Sequence, residues 1–184
     1  MPEILHHSRP RSPEYALLGF LYEHPDHGYT LHQRLSEELG VIWHASQSQT
    51  YAILKRMQVR KYISATRLEQ DRLPARQLLH ITAAGRRRFE TWLQTPSGSS
   101  VRSIRLEFIT RLYFAQKYFP DLSAKIIADE SADLKKTLTR LETDRDAIPK
   151  EQVFNRLGLE LRIRQLHSVQ EWLLECAHVV KRRS

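Results

Sequence analysis

Four uncharged polar residues in succession, Gln47, Ser48, Gln49 and Thr50, open a segment that continues as Tyr51-Ala52-Ile53-Leu54-Lys55-Arg56-Met57. Amides and hydroxyls of this kind pair with base edges in a DNA groove, and a lysine and an arginine further along suit phosphates on its flank. Ser46 offers a side-chain oxygen to the orphan N–H groups at a helix start. Ile53, Leu54 and Met57 then recur at the three- and four-residue spacing of a buried face. The segment reads as a helix with one face in a core and the other free for recognition. An ordinary amphipathic surface helix with an uncharged polar start shows the same pattern, so its neighbours decide.

The charge balance favours a polyanionic partner. The 184-residue chain carries a formal charge of +8. Between Ser46 and Arg88 stand ten lysines and arginines, Arg60, Lys61, Arg67, Arg72 and Arg76 among them, against only Glu69 and Asp71, while the remainder of the chain is balanced. A concentrated basic segment points to nucleic acid more than to anionic lipid, because no basic amphipathic helix with outward Trp or Phe accompanies it. A hydrophobic fraction of 41% with 27% charged residues is ordinary for a globular chain, and no apolar run reaches the ~20 residues of a membrane span. The reading expects no secretory signal, and a lone cysteine, Cys176, cannot form an internal disulfide, so a cytoplasmic location is expected.

The neighbouring elements support recognition by the Ser46 helix. Residues 1–12 read as a flexible arm, in which Arg9-Pro10-Arg11 is able to reach phosphates. Ser12-Pro13-Glu14 starts a helix whose buried face is Leu17, Leu18, Phe20 and Leu21, and His24-Pro25-Asp26-His27-Gly28 breaks it. A second helix from about Tyr29 to Leu39 carries Leu31, Leu35 and Leu39, with Gly40 placed for a left-handed stop. Val41-Ile42-Trp43 is a short strand or linker. Two short helices followed by a third with a polar first turn is the order of a helix-turn-helix. Period two takes over at Tyr62, Ile63, Ala65, Arg67 and Leu68, and Arg76 to Ile81 returns, which makes a two-stranded wing. Thr82 caps a further helix with Phe89, Trp92 and Leu93 inward. Its first turn holds Arg86-Arg87-Arg88, where the helix dipole disfavours cations.

At this point the stretch from Leu17 to Leu93 resembles the winged helix-turn-helix of the PadR family of transcriptional regulators. The matching pieces are His27-Gly28-Tyr29, Leu31, Arg34-Leu35, Trp43, Ser48-Gln49-Thr50-Tyr51, Leu54-Lys55-Arg56-Met57 and Leu79-His80-Ile81-Thr82-Ala83-Ala84-Gly85-Arg86. Lys61 departs from the glycine usual there. Past Thr95-Pro96-Ser97-Gly98-Ser99-Ser100, the run Arg105-x-x-Phe108-Ile109-x-Arg111-Leu112-Tyr113-Phe114-Ala115 is similar to the segment opening the helical C-terminal part of the larger members. The resemblance implies a homodimer made by the C-terminal helices, a roughly palindromic operator, and often a small molecule that relieves repression.

The C-terminal half favours a dimer on its own pattern. A long helix from Leu122 to about Ile148 repeats Ile127, Leu134, Leu141 and Ile148 every seven residues with Leu138 between, and Pro149 stops it. The last helix carries Leu159, Ile163, Leu166, Val169, Leu173, Cys176 and Val180 at steps of three and four. Val153, Phe154, Leu157, Leu161, Trp172 and Leu174 lie off that stripe. So much apolar surface on two helices asks for cover, from a second copy or from the N-terminal domain. Leu134, Leu138, Leu141, Leu159, Ile163, Leu166 and Leu173 are the expected dimer contacts. Trp92, Phe108, Tyr113, Phe114 and Trp172 could enclose a planar effector or simply form core.

The sequence therefore predicts a mainly α protein: residues 1–12 an arm, 13–95 a winged helix-turn-helix domain of three to four helices plus the wing, 96–100 a linker, and 101–184 an all-helical dimerisation domain. Gln47, Ser48, Gln49, Thr50, Tyr51, Lys55, Arg56, Arg60, Arg67, Arg72 and Arg76 are the expected DNA contacts. The expected partners are double-stranded DNA, a second copy and a small-molecule effector. No metal cluster, phosphate loop, activated nucleophile or carboxylate pair is legible, so neither an enzyme nor a cofactor is expected. The alternative is a winged-helix module that contacts protein and has no DNA affinity of its own.

Overall fold

The computed structural model describes residues 13–70, 73–98 and 100–181. The chain divides into two compact units, the first ending at Trp92 and the second beginning at Leu93. The expected arm at residues 1–12 lies outside the described residues.

In the first unit, α1 (Glu14–Glu23), α2 (Gly28–Leu39) and α3 (Gln47–Val59) form the helix-turn-helix. Leu17, Leu18, Phe20 and Leu21 of α1, Leu31, Leu35 and Leu39 of α2, and Ile53, Leu54 and Met57 of α3 are buried, as their spacing predicts. Arg34 ties α2 to the end of α1: its guanidinium donates to Glu23 at 2.7 Å and lies 4.5 Å from the centre of the Phe20 ring. Gly40 does not take the expected left-handed conformation. Its φ is −63°, because the chain continues right-handed and the Ile42 and Trp43 N–H groups both return to the Leu39 carbonyl, at 2.9 and 2.8 Å. Space is what requires glycine there, since a Cβ would stand 2.1 Å from the Ser36 carbonyl oxygen.

The wing is β2 (Ile63–Gln70) and β3 (Leu73–Ile81), antiparallel with Ile63 opposite Ile81. A two-residue strand, β1 (Asp26–His27), pairs with the other edge of β3, so the sheet has three strands in the order β1-β3-β2 rather than the two expected. The turn after α1 thereby becomes part of the sheet and fixes where α2 starts. α4 (Ala83–Gln94) follows the sheet, with the Gly85 N–H donating to Thr82 Oγ1 at 3.1 Å. The Thr82 hydroxyl in turn donates to the Lys61 carbonyl at 2.8 Å, which joins the cap of α4 to the end of α3.

That end of α3 is a Schellman motif. The Tyr62 N–H donates to the Met57 carbonyl at 3.0 Å and the Lys61 N–H to the Gln58 carbonyl at 2.9 Å. The geometry puts Lys61 at φ 58°, where glycine is usual because a Cβ crowds the following carbonyl.

In the second unit, α5 (Val101–Ser103) runs through a π-helical stretch, Ile104–Phe108, into α6 (Ile109–Tyr118), followed by α7 (Pro120–Ala147) and α8 (Val153–Lys181). Leu134, Leu138, Leu141, Ile163, Leu166 and Leu173 are buried against one another's helices within one chain, with Leu159 packed on the same cluster. This corrects their expected role as dimer contacts: the heptad seam of α7 meets the stripe of α8 in an intramolecular hairpin, which the Pro149 turn makes possible. The apolar residues left exposed on α8 are Val153, Phe154, Leu157, Leu161, Leu174 and Val179.

An ion pair lies inside this unit. Arg111 and Glu130 stand 3.3 Å apart with side chains 2% and 1% exposed, and the Ser97 N–H donates to the same carboxylate oxygen at 2.9 Å. Ser97 is itself buried, so the stretch expected to be a linker is partly built into the helical unit.

Two stability changes follow. Lys61→Gly relieves the left-handed strain and raises unfolding free energy by about 1 kcal/mol. Arg111→Leu leaves the Glu130 charge buried and unpaired and lowers it by about 3 kcal/mol. Urea unfolding followed by circular dichroism measures both, and an unchanged midpoint for either variant would contradict the assignment.

Candidate nucleic-acid interface

The first turn of α3 is held by a reciprocal capping box. Ser46 Oγ accepts the Gln49 N–H at 3.2 Å, and the Ser46 N–H donates to Gln49 Oε1 at 2.9 Å. The box fixes the helix start, and it commits the acceptor end of the Gln49 amide to the cap. The amide nitrogen of Gln49 takes no part in the box.

Thr50 departs further from expectation. It is fully buried, its hydroxyl donates to the Ser46 carbonyl at 3.1 Å, and it stands 3.1 Å from His32 Nδ1 on α2. Thr50 therefore joins α3 to α2 and does not face a groove. Its place two positions past Ser48, about 200° around the helix, turns it inward.

Gln47, Ser48, Gln49, Tyr51, Lys55, Arg56 and Arg60 are all exposed, as the sequence predicts. Their directions differ. Ser48, Tyr51 and Lys55 share the outward strip, being three, four and seven residues apart. Tyr51, Lys55 and Gln58 border a concave space of about 810 Å³ whose other walls are Gly28, Tyr29 and Thr30 in the first turn of α2 and Gln77 and Leu79 of β3. The α2 N-cap, His27, makes no side-chain cap bond, so the positive end of that helix opens beside Lys55. Arg67 is exposed on β2 opposite Gln77. Arg72 and the side chain of Arg76 lie outside the described residues.

Arg56 and Arg60 turn to the opposite flank and meet a residue that the sequence reading did not place in the site. Glu14, the first residue of α1, has its carboxylate 1% exposed, with Arg56 at 3.5 Å, Arg60 at 3.9 Å and Arg88 of α4 at 3.4 Å. Arg88 also lies over the rings of Tyr15 and Tyr62, 5.1 and 4.7 Å from their centres. Arg86 sits 4.2 Å from the centre of the Tyr22 ring. These contacts explain the cations in the first turn of α4: a carboxylate and three aromatic faces offset the unfavourable dipole. The sequence signal for the cluster was the Arg86-Arg87-Arg88 run itself, but its partner, about seventy residues upstream, has no local signature.

The residues expected to enclose an effector are placed separately. Trp92 stacks on Tyr15 in the first unit, with ring centres 4.6 Å apart. In the second, Phe108 meets Trp172 edge-on at 5.8 Å and Phe114 meets Tyr113 edge-on at 4.9 Å. Phe108 and Phe114 are fully buried and act as core, which corrects the expectation that Phe108 lines an effector space. Cys176 is half-buried, and burial pushes its thiol up to about 11, so it stays protonated and a poor nucleophile at neutral pH. Among the described residues no cluster of three metal-ligating side chains occurs, and no helix is long and apolar enough to cross a membrane.

Several known proteins are similar to this chain. The negative transcriptional regulator PadR of Bacillus subtilis is 29% identical over 103 residues, 55% of each chain. The probable transcriptional regulator Rv1176c of Mycobacterium tuberculosis is 29% identical over 82 residues, 45% of this chain and 43% of that one. The chain thus spans about half the length of the relatives it matches. The crystal structure of Bacillus subtilis PadR in complex with operator DNA aligns over 93% of this chain and 99% of that one at 22% identity, with a TM-score of 0.45. Residues 17–91, a segment that holds the helix-turn-helix, the sheet and most of α4, match the family model of the PadR-like transcriptional regulators.

Proposed function

We propose that the protein is a sequence-specific DNA-binding transcriptional regulator that acts as a homodimer on a roughly palindromic operator. The observation that carries this reading is the outward strip of α3. The helix is capped by the Ser46–Gln49 box, its large aliphatic side chains Ile53, Leu54 and Met57 are turned inward, and Ser48, Tyr51 and Lys55 are exposed, with Tyr51 and Lys55 bordering the opening of α2. Gln47, Ser48 and the Gln49 nitrogen would read bases; Lys55 and Arg67 would neutralise phosphates, with the space against α2 receiving the sugar–phosphate strand. A repressive role is supported by the relative named as a negative regulator. A small-molecule effector would act by lowering operator affinity.

For the dimer, the outer face of α8 replaces the contacts expected from the sequence. Phe154 is 87% exposed and Leu157 and Leu161 follow it at helical spacing, 60% and 58% exposed, so these side chains remain to be covered.

The function is tested by selecting duplexes from a random pool at about 150 mM salt and titrating the best against a scramble. Recovery of an inverted repeat bound at least a hundredfold more tightly is the expected result. No retention of any duplex would favour a protein-contact module instead. Lys55→Ala should weaken binding evenly across sequences and make the slope of log affinity against log salt shallower by about one; an unchanged slope would remove Lys55 from the phosphate contacts. Leu157→Arg with Leu161→Arg should convert the protein to a monomer in sedimentation, and a retained dimer would place the interface elsewhere.

A further inference from the structure

Where α2 begins, α3 comes against bare backbone. Gly28, the first residue of α2, is buried, and a Cβ built on it would stand 2.9 Å from Cε1 and 3.2 Å from Cζ of Tyr51. The Tyr51 ring therefore rests on the Gly28 backbone more closely than any Cβ there would allow. Space alone asks for glycine, because Gly28 has no positive φ and an L residue could take its backbone conformation. The same Cβ would lie 3.4 Å from Leu54 Cδ1, an ordinary contact, so the conflict falls on Tyr51. Gly28 is itself placed by the sheet. Asp26 and His27 pair with Leu79 and Leu78 of β3, and His27 Nδ1 donates to the Gln77 carbonyl at 2.9 Å.

Tyr51 is 46% exposed, and the rotamer of a side chain so far outside the core is set by what it rests on. Seated on Gly28, the ring lies across the start of α2. Its hydroxyl, carried on Cζ, is thereby held at the edge of the 810 Å³ concavity that Tyr29, Thr30 and Lys55 also border. Resting on the DNA-binding reading above, we infer that Gly28 is a positioning residue for DNA binding: its missing side chain seats the Tyr51 ring so that the phenol hydroxyl donates to one backbone phosphate in that concavity. Gly28 itself does not touch DNA. A phenol is a neutral donor, so this contact adds affinity without releasing a counterion, unlike the contact of a lysine. If Tyr51 only covered the start of α2, its hydroxyl would be idle and its aim immaterial.

The two views are separated by measuring anisotropy of a labelled duplex, selected as above, from about 50 to 300 mM salt. The proteins are the wild-type chain, Gly28→Ala, Tyr51→Phe, Tyr51→Ala and the double variant Gly28→Ala with Tyr51→Ala, each checked by thermal unfolding. Gly28→Ala should bind about fivefold more weakly at an unchanged salt slope. Its thermal midpoint should not fall, because the displaced ring is exposed and alanine favours helix. Tyr51→Phe, which keeps the ring and loses only the hydroxyl, should cost a similar factor, again at an unchanged slope. The double variant should bind within about twofold of Tyr51→Ala, since the added methyl acts only through the ring. If Gly28→Ala alone does not fold, the double variant, in which the contact is relieved, carries the test beside Tyr51→Phe. Wild-type affinity in Gly28→Ala or Tyr51→Phe, a shallower slope in either, losses that multiply fully in the double variant, or a double variant that does not fold would overturn the inference and leave the DNA-binding reading standing. A wild-type chain that binds no duplex would overturn both.

Discussion

Burial of Ile53, Leu54 and Met57 is the constraint on which the rest of the first unit depends. Once those three side chains are inside, the rotation of α3 about its axis is set, and with it the direction of every polar residue on the helix. Thr50 falls inward with them and is used to bind α3 to α2 through His32, while Ser48 and Lys55 fall outward. The capping box then fixes the helix along its axis and the Schellman motif ends it at the point where the sheet must begin. The interface is in this sense a by-product of the core: the face that cannot be buried is the face left for a partner.

The ends of α3 show two ways of meeting the needs of backbone N–H and carbonyl groups. At its start, side chains do the work, and the Gln49 amide is partly consumed in doing it. At its end, main-chain bonds to Met57 and Gln58 close the helix, at the cost of a left-handed Lys61. Thr82 then links that turn to α4, and Gly85 lets the two approach, since a Cβ at Gly85 would stand 2.1 Å from the Tyr62 carbonyl oxygen. Helix α3, the wing and α4 are therefore joined at a single corner, with Arg88 and Glu14 alongside. In the second unit an analogous economy holds: the α7 and α8 seams satisfy each other, and the buried Arg111–Glu130 pair takes in the Ser97 N–H as well.

Much of this was legible in the sequence because it is local. The helix starts at Ser46 and Thr82, the breaks at Pro25 and Pro149, and the buried faces of α1 to α3 all follow from residue types within one or two turns. What was not legible is non-local or a matter of partner choice. The strand Asp26–His27 has no strand pattern of its own and exists because β3 offers an edge. The periodicity of α7 and α8 announces two apolar seams, but a seam is silent on whether its complement comes from the same chain or from another copy. Within the candidate interface, exposure of α3 was readable from its period, whereas the loss of Thr50 to the core and the clustering of Arg56, Arg60 and Arg88 on Glu14 depend on helices brought together from distant stretches.

The central claim is that the outward strip of α3 is the surface that meets DNA. It is tested most directly by titrating a selected duplex into isotope-labelled protein and following backbone amide shifts residue by residue. The account predicts that the largest shifts fall on Gln47, Ser48, Tyr51 and Lys55, with a second group at Tyr29 and Thr30 and a third on β2 at Arg67, while the α7–α8 core is unmoved. Shifts that leave α3 unchanged and gather elsewhere, with the duplex demonstrably bound, would contradict it.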